Sequence, residues 1–175
     1  MASWQFDIGH SSISFRVRHM MFAKVRGHFS KWEGSLEATP GQFGTAKASV
    51  TIDAASIDTG IADRDTHLRS ADFLNVAEFP SITFVSTGVK VTGDALTIAG
   101  DLTIRGTTKA IVLTAEASGE GKDPWGNQRL GFSAHTKLSR KEFDLVWNQL
   151  LETGGAVVGD EIEVDLEVEV LRPAG

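Results

Sequence analysis

Cysteine is absent from the 175 residues, so no disulfide framework, thiolate zinc site or thiol nucleophile can exist. Tyrosine is absent too, and the ten phenylalanines and four tryptophans carry no phenolic hydroxyl. Such rings can line an apolar channel or build an ordinary core without a hydroxyl that must be satisfied. Only four prolines occur. Pro80 precedes a strand-like run, Pro40 and Pro124 sit in glycine-flanked turns and Pro173 lies in the tail, so none interrupts an element. A long apolar run is missing, which excludes a transmembrane helix. The first residues reach a charge at Asp7 without a basic or an apolar leader region, so no signal peptide is expected and the cytoplasm is the expected location. Basic excess is also lacking. A formal net charge of −6 and a pI near 5.3 argue against a nucleic-acid partner, whose affinity would rest on lysine and arginine at phosphates. At 18.8 kDa the chain can bury roughly 70% of its unfolded surface, so one domain over residues 1–175 needs no metal or staple.

What is present is alternation with period two, the signature of strands whose faces see different surroundings. Ile13, Phe15 and Val17 alternate with polar residues, as do Val25, Gly27 and Phe29. The apolar parity then shifts to Trp32, Leu36 and Ala38, which predicts a β-bulge near Ser30 or Lys31 in one long, bent strand. Further runs around Ala48–Ile52, Ile82–Phe84, Leu96–Ile104, Ala110–Ala117, Phe132–Leu138 and Ile162–Val170 bring the total to about eight or nine strands, a number typical of up-and-down barrels. Two interruptions read as helical. Residues Ala62 to Ala71 carry acids in the first turn and Arg69 in the last, and Phe143, Trp147 and Leu150 or Leu151 fall at helical spacing within Lys141 to Thr153, ahead of Gly154 and Gly155.

Charge follows the strands. Glu161, Glu163, Asp165, Glu167 and Glu169 share one face of the last strand, and Arg16, Arg18, Lys24, Arg26 and His28 share one face of two early strands. A solvated outer face accounts for both stripes. Closure of the barrel by the last strand beside an early one would set the opposite charges against each other.

An eight-stranded barrel is either packed or hollow enough for one small ligand, and the inward residues decide. Gly27, Gly100, Ala48 and Ala134 are small inward residues. Each glycine alone reads as a bend in its strand; together they point to incomplete filling and a narrow tunnel suited to an elongated apolar ligand. Catalytic signatures are weak. Asp58-Thr59-Gly60 matches the short motif of aspartic proteases, but no second copy exists to complete a carboxylate dyad, and a turn held by side-chain oxygens explains the same residues. The five histidines show no metal-ligand spacing, and neither a nucleophile elbow nor a phosphate-cradling glycine loop is present. No metal, no cofactor and no catalytic residue is therefore expected. His67 stands between Asp65 and Arg69, where Arg64 and Arg69 could meet an anionic or polar head group, or simply charge the surface of a covering helix.

The segments Ser56-Ile-Asp-Thr-Gly60, Arg64-Asp-Thr-His-Leu-Arg-Ser-Ala-Asp-Phe73 and Phe79-Pro-Ser-Ile-Thr-Phe84 resemble the central signature of the YceI family, the lipocalin-like polyisoprenoid-binding proteins. Gly100 to Lys109, Gly131 to Arg140 with Phe143, and Val158 to Ile162 agree in order and character, so the resemblance spans nearly the whole chain. Asp144 departs from it, standing where the family usually has glycine. The resemblance implies an all-β fold: an extended eight-stranded antiparallel lipocalin-like barrel with a short helical insertion. It also implies non-enzymatic binding of a long-chain isoprenoid or similar lipid, often in a homodimer. On this reading the apolar tunnel is lined by Phe15, Val17, Phe29, Trp32, Leu68, Phe73, Phe84, Phe132, Phe143 and Trp147, and the polar mouth by Arg64, His67, Arg69 and Arg140. The alternative is an enzyme on the same barrel, acting on a polyprenyl or other apolar substrate with His67 as acid or base.

Overall fold

A computed structural model describes residues 2–20, 22–148 and 157–174. Its strands are β1 (Ala2–Phe6), β2 (Ser12–His19), β3 (Ala23–Phe29), β4 (Trp32–Thr39), β5 (Gln42–Asp53), β6 (Ile57–Asp58), β7 (Ser81–Thr92), β8 (Ala95–Ile104), β9 (Thr107–Lys122), β10 (Gln128–Ser139) and β11 (Val158–Arg172), with one α-helix, α1 (Ala62–Arg69), after β6.

These strands make an eight-stave antiparallel barrel, because two pairs are single staves with a break. β1 and β2 run end to end along the same edge of β11, with Phe6 opposite Val170 and Phe15 opposite Val164. A 3-10 turn at Ile8–His10 separates them. β3 and β4 likewise form one bent stave against β2 and β1. The expected irregularity lies at Ser30 and Lys31, where the backbone leaves the ladder and Ser56 replaces it: Lys31 N donates to Ser56 Oγ at 3.1 Å and Ser30 N to Ser56 O at 3.3 Å. From there β4, β5, β7, β8, β9, β10 and β11 pair in sequence, and β11 returns to β1 and β2 to close the ring. The two-residue β6 adds a short pairing to the end of β3.

Closure sets the acidic last strand against the basic early ones. Glu163 pairs with Arg16 in register, and Arg16 Nη2 reaches Glu163 at 3.3 Å and Asp165 at 2.8 Å while Lys24 Nζ reaches Glu163 at 3.4 Å. The carboxyl of Glu163 is accordingly held below its ordinary value, first by the hydrogen bond from Lys24.

The interior has two parts. At one end Trp4, Ala38, Leu130 and Val170 are buried together with Phe6, Leu36, Phe43 and Phe132 against them, and Trp4 Nε1 donates to Ala38 O at 3.2 Å. Toward the other end Ile13, Ile52, Ile82, Leu102, Ile104 and Leu138 form a second apolar layer that continues under α1 through Ile57 and Leu74.

The second helical expectation, a turn or two within Lys141 to Thr153, falls partly outside the described residues. Residues Arg140–Phe143 make a single 3-10 turn, and Asp144, with φ +61°, reverses the chain in the left-handed region and ends it. Residues 145–148 then run without helical structure, so the four-residue spacing of Phe143 and Trp147 is not a helix repeat. Leu150, Leu151, Gly154 and Gly155 lie outside the described residues.

Candidate ligand-binding site

Inside the staves lies a cavity of about 630 Å³ whose wall is almost wholly aliphatic and aromatic. Phe6 and Val168 line its inner end, next to the packed layer around Trp4. Glycine shapes the wall by admitting rings rather than by leaving holes. A Cβ on Gly27 would lie 2.5 Å from Phe15 Cζ and 2.9 Å from Thr59 Cγ2, and one on Gly100 would overlap the Phe84 ring. Both rings therefore approach the glycine backbone closely and border the cavity.

The opposite end is the mouth, built by α1, the loop after it and residues 145–148. α1 has no side-chain N-cap; instead Asp65 in its first turn reaches back, accepting from Thr59 N at 2.9 Å and Thr59 Oγ1 at 2.5 Å. Arg64 donates from Nε to Thr59 Oγ1 and from Nη2 to Thr59 O, each at 2.7 Å. Asp58 Oδ1 accepts from Gly60 N at 2.8 Å, so the protease-like tripeptide is a turn that seats the helix. Three rings meet above the cavity: His67 lies 5.1 Å from Phe73 and 4.7 Å from Trp147, both edge-on, and Phe73 lies 5.3 Å from Trp147. His67 Nε2 donates to Asp72 Oδ2 at 2.8 Å.

Two arginines hold this arrangement from behind. Arg140 is only 2% exposed and donates to Leu145 O, Trp147 O, Gly159 O and, at 3.3 Å, Val158 O. Burial pushes its guanidinium down from the ordinary value, opposed by Asp160 at 3.7 Å. Arg105, in the two-residue turn between β8 and β9, donates from Nη1 to Ala71 O at 2.7 Å and Phe73 O at 2.6 Å.

Of the fourteen residues expected at the site, eleven border the cavity: Phe15, Val17, Phe29, Trp32, Leu68, Phe73, Phe84 and Trp147 on the apolar side, and Arg64, His67 and Arg140 at the mouth. Three lie elsewhere. Phe132 stands opposite Val168 in the filled end, edge-on to Phe43 at 5.8 Å. Phe143 is fully buried behind the wall, because the reversal at Asp144 turns it into the packed layer while Leu145 and Trp147 face the cavity. Arg69 spends its guanidinium on Ala55 O at 2.9 Å and Ile57 O at 3.4 Å, which fastens the end of α1 to the segment before it. Sequence reasoning missed Phe6, Leu74 and Leu145 as lining residues and Arg105 as a support. Alternation could have found Phe6; no local pattern marks Arg105.

Among the described residues, Asp7, His10 and Glu169 bring possible metal-ligand atoms within 4.8 Å of one another. Arg129 Nη1 already lies 2.9 Å from Asp7 and 2.6 Å from Glu169, so a guanidinium fills the position a cation would take. No helix among these residues is long and apolar enough to cross a membrane.

The model of the YceI-like domain matches residues 4–170. A protein named YceI from Salmonella newport is 41% identical over 160 residues, covering 91% of this chain and 81% of its own length. The crystal structure of Burkholderia cenocepacia BcnA superimposes with a TM-score of 0.82 at 22% identity, covering 94% of this chain and 98% of that one. A polyisoprenoid-binding domain from Saccharophagus degradans, described as implicated in plant cell wall breakdown, gives 0.72 at 15% identity over 99% of this chain and 100% of that one. The chain belongs to the YceI-like domain family.

Proposed function

We propose that the protein binds one long-chain apolar ligand, a polyisoprenoid or similar lipid, inside the barrel without chemical turnover, for transport, storage or sensing. The observation that carries this reading is the cavity, whose volume of about 630 Å³ falls in the range of roughly 300–1000 Å³ usual for small-ligand sites and whose wall is apolar. Each CH₂ group brought into such a wall contributes about 0.8 kcal/mol before ordering costs. The polyisoprenoid-binding domain with the same fold supports the ligand class. The apolar chain would lie along Phe15, Val17, Phe29, Trp32 and Phe84, and the head group would meet Arg64 and His67 beneath Trp147. Homodimer formation and a cytoplasmic location belong to the same proposal, and light scattering and cell fractionation test them. Trp32 and Trp147 border the cavity, so titration with a polyprenol should change tryptophan fluorescence and saturate at one ligand per chain. No saturable change with apolar chains of any length would overturn the reading.

A second reading has one observation behind it. His67 borders the cavity with Nε2 committed to Asp72 and Nδ1 free of any bond to a described residue, the arrangement of an oriented base. An enzyme acting on an apolar substrate would lose turnover, and keep its ligand, in His67→Ala.

A further inference from the structure

The hairpin of β2 and β3 is built against its own stability. Arg16 stands directly opposite Arg26, and Arg18 directly opposite Lys24. Like charges in such positions repel, and two successive pairs do so here. No acidic residue occurs in the sequence between Asp7 and Glu33. The acids of β11 answer only part of this charge: Arg16 and Lys24 have Glu163 and Asp165, while Arg18 and Arg26 have no carboxylate within ion-pair distance among the described residues. In a chain with a net charge of −6, this concentration of cations is local and opposite in sign to the whole.

Two apolar residues at the tip of the same hairpin are open to solvent. Phe22 is 95% exposed and Met20 is 44% exposed. The tip adjoins the mouth, since His19 lines the cavity and Met20 N donates to Val157 O, another lining residue, at 2.8 Å. Two more exposed apolar side chains stand on the other mouth segments: Ile61 directly before α1, and Val146 between the lining residues Leu145 and Trp147. An exposed aromatic tip backed by unpaired cations is the pattern by which a segment enters the boundary of an anionic bilayer, the ring among acyl chains and the cations at phosphates.

From these observations we infer that the β2–β3 hairpin docks the protein on an anionic lipid surface, with Phe22 inserted and Arg18 and Arg26 at the head groups. The mouth then opens onto the bilayer, where an apolar ligand can pass without crossing water. The docking itself does not depend on what the cavity holds.

Co-sedimentation with vesicles tests it, using equal parts phosphatidylcholine and phosphatidylglycerol against pure phosphatidylcholine at low salt. The wild-type chain should partition to the anionic vesicles and leave them as salt is raised. Arg26→Glu should weaken that partition by at least about fivefold, the worth of one basic residue at such a surface. Because the same change removes a repulsive pair, its melting temperature should rise or stay level, which separates docking from folding. Phe22→Ser, at a fully exposed site, should cost about tenfold. Failure of the wild-type chain to bind anionic vesicles overturns the inference. So does partition that ignores both substitutions, the result expected if another face of the chain meets the lipid.

Discussion

Phe15 and Gly27 face each other across β2 and β3, and the Phe15 ring occupies the place where a side chain on Gly27 would begin. The glycine is thus part of the cavity wall: it gives the tip of the ring room against the β3 backbone, so that the ring borders the space without filling it.

Gly27→Ala should therefore narrow the cavity. The new Cβ would stand 2.5 Å from Phe15 Cζ and 3.0 Å from Asp58 O, and the ring must swing inward. Overpacking of this kind costs about 1–3 kcal/mol, which lowers the melting temperature by about 2–4 °C per kcal/mol in a chain of this size. Ligand capacity should fall as well. Adding Phe15→Leu should restore part of the stability, and a double-mutant cycle measures the coupling.

Arg140→Met should loosen the mouth. It leaves the carbonyls of Leu145, Trp147 and Gly159 without their donor at a buried site, a loss of about 2–4 kcal/mol. Ligand dissociation, followed by stopped-flow fluorescence, should quicken because Trp147 loses its anchor.

The cluster around Arg129 gives a pH dependence of definite sign. Arg129 contacts Asp123 at 2.8 Å, Asp7 at 2.9 Å and Glu169 at 2.6 Å. Burial pushes the Asp123 carboxyl up, but hydrogen bonds from Arg129, from the side chain and backbone of Asn127 and from Trp125 N outweigh it and bring the value down to about 2. Asp7 is lowered too, first by Arg129 and then by His10. With an unfolded value near 3.9, the Asp123 contribution is complete above about pH 4 and is lost as pH falls through about 2. The melting-temperature gap between wild type and Arg129→Met should be widest near neutrality, narrow as pH falls below about 4 and close near pH 2. A gap that is constant down to pH 2 would show that the cluster contributes through packing and not through charge.

Asp144 holds a glycine-like conformation at φ +61°. Its contact with Arg105 is 4.0 Å long with the carboxylate open to solvent, and contributes little. Asp144→Gly should leave stability within about 1 kcal/mol of wild type, the relief of strain being offset by the freer unfolded chain. Asp144→Val, a β-branched residue in the left-handed region, should cost about 1–2 kcal/mol or more by chemical denaturation.

Alternation made the barrel wall legible because the pleat assigns each residue a side. Thus Leu138, Ile162 and Val164 are inward as their parity requires. Parity gives no height along the barrel, which is why Phe84 borders the cavity while Phe132 falls in the filled end. The turn at Asp144 was hidden by the apparent helical spacing of Phe143 and Trp147. Arginine roles were the least legible. Arg64 and Arg69 look alike in sequence, but only the tertiary placement of Ala55 O and Ile57 O takes Arg69 away from the mouth.

The proposed lipid in the cavity can be sought in the protein as purified. Native mass spectrometry of the purified chain, followed by mass spectrometry of its organic extract, tests for it most directly. One apolar long-chain molecule per chain is expected, removable by extraction, and its return should raise the melting temperature by roughly 5–10 °C at saturating ligand. A chain that carries no lipid from any preparation, and whose melting temperature is unmoved by polyprenols or fatty chains, would contradict the proposal.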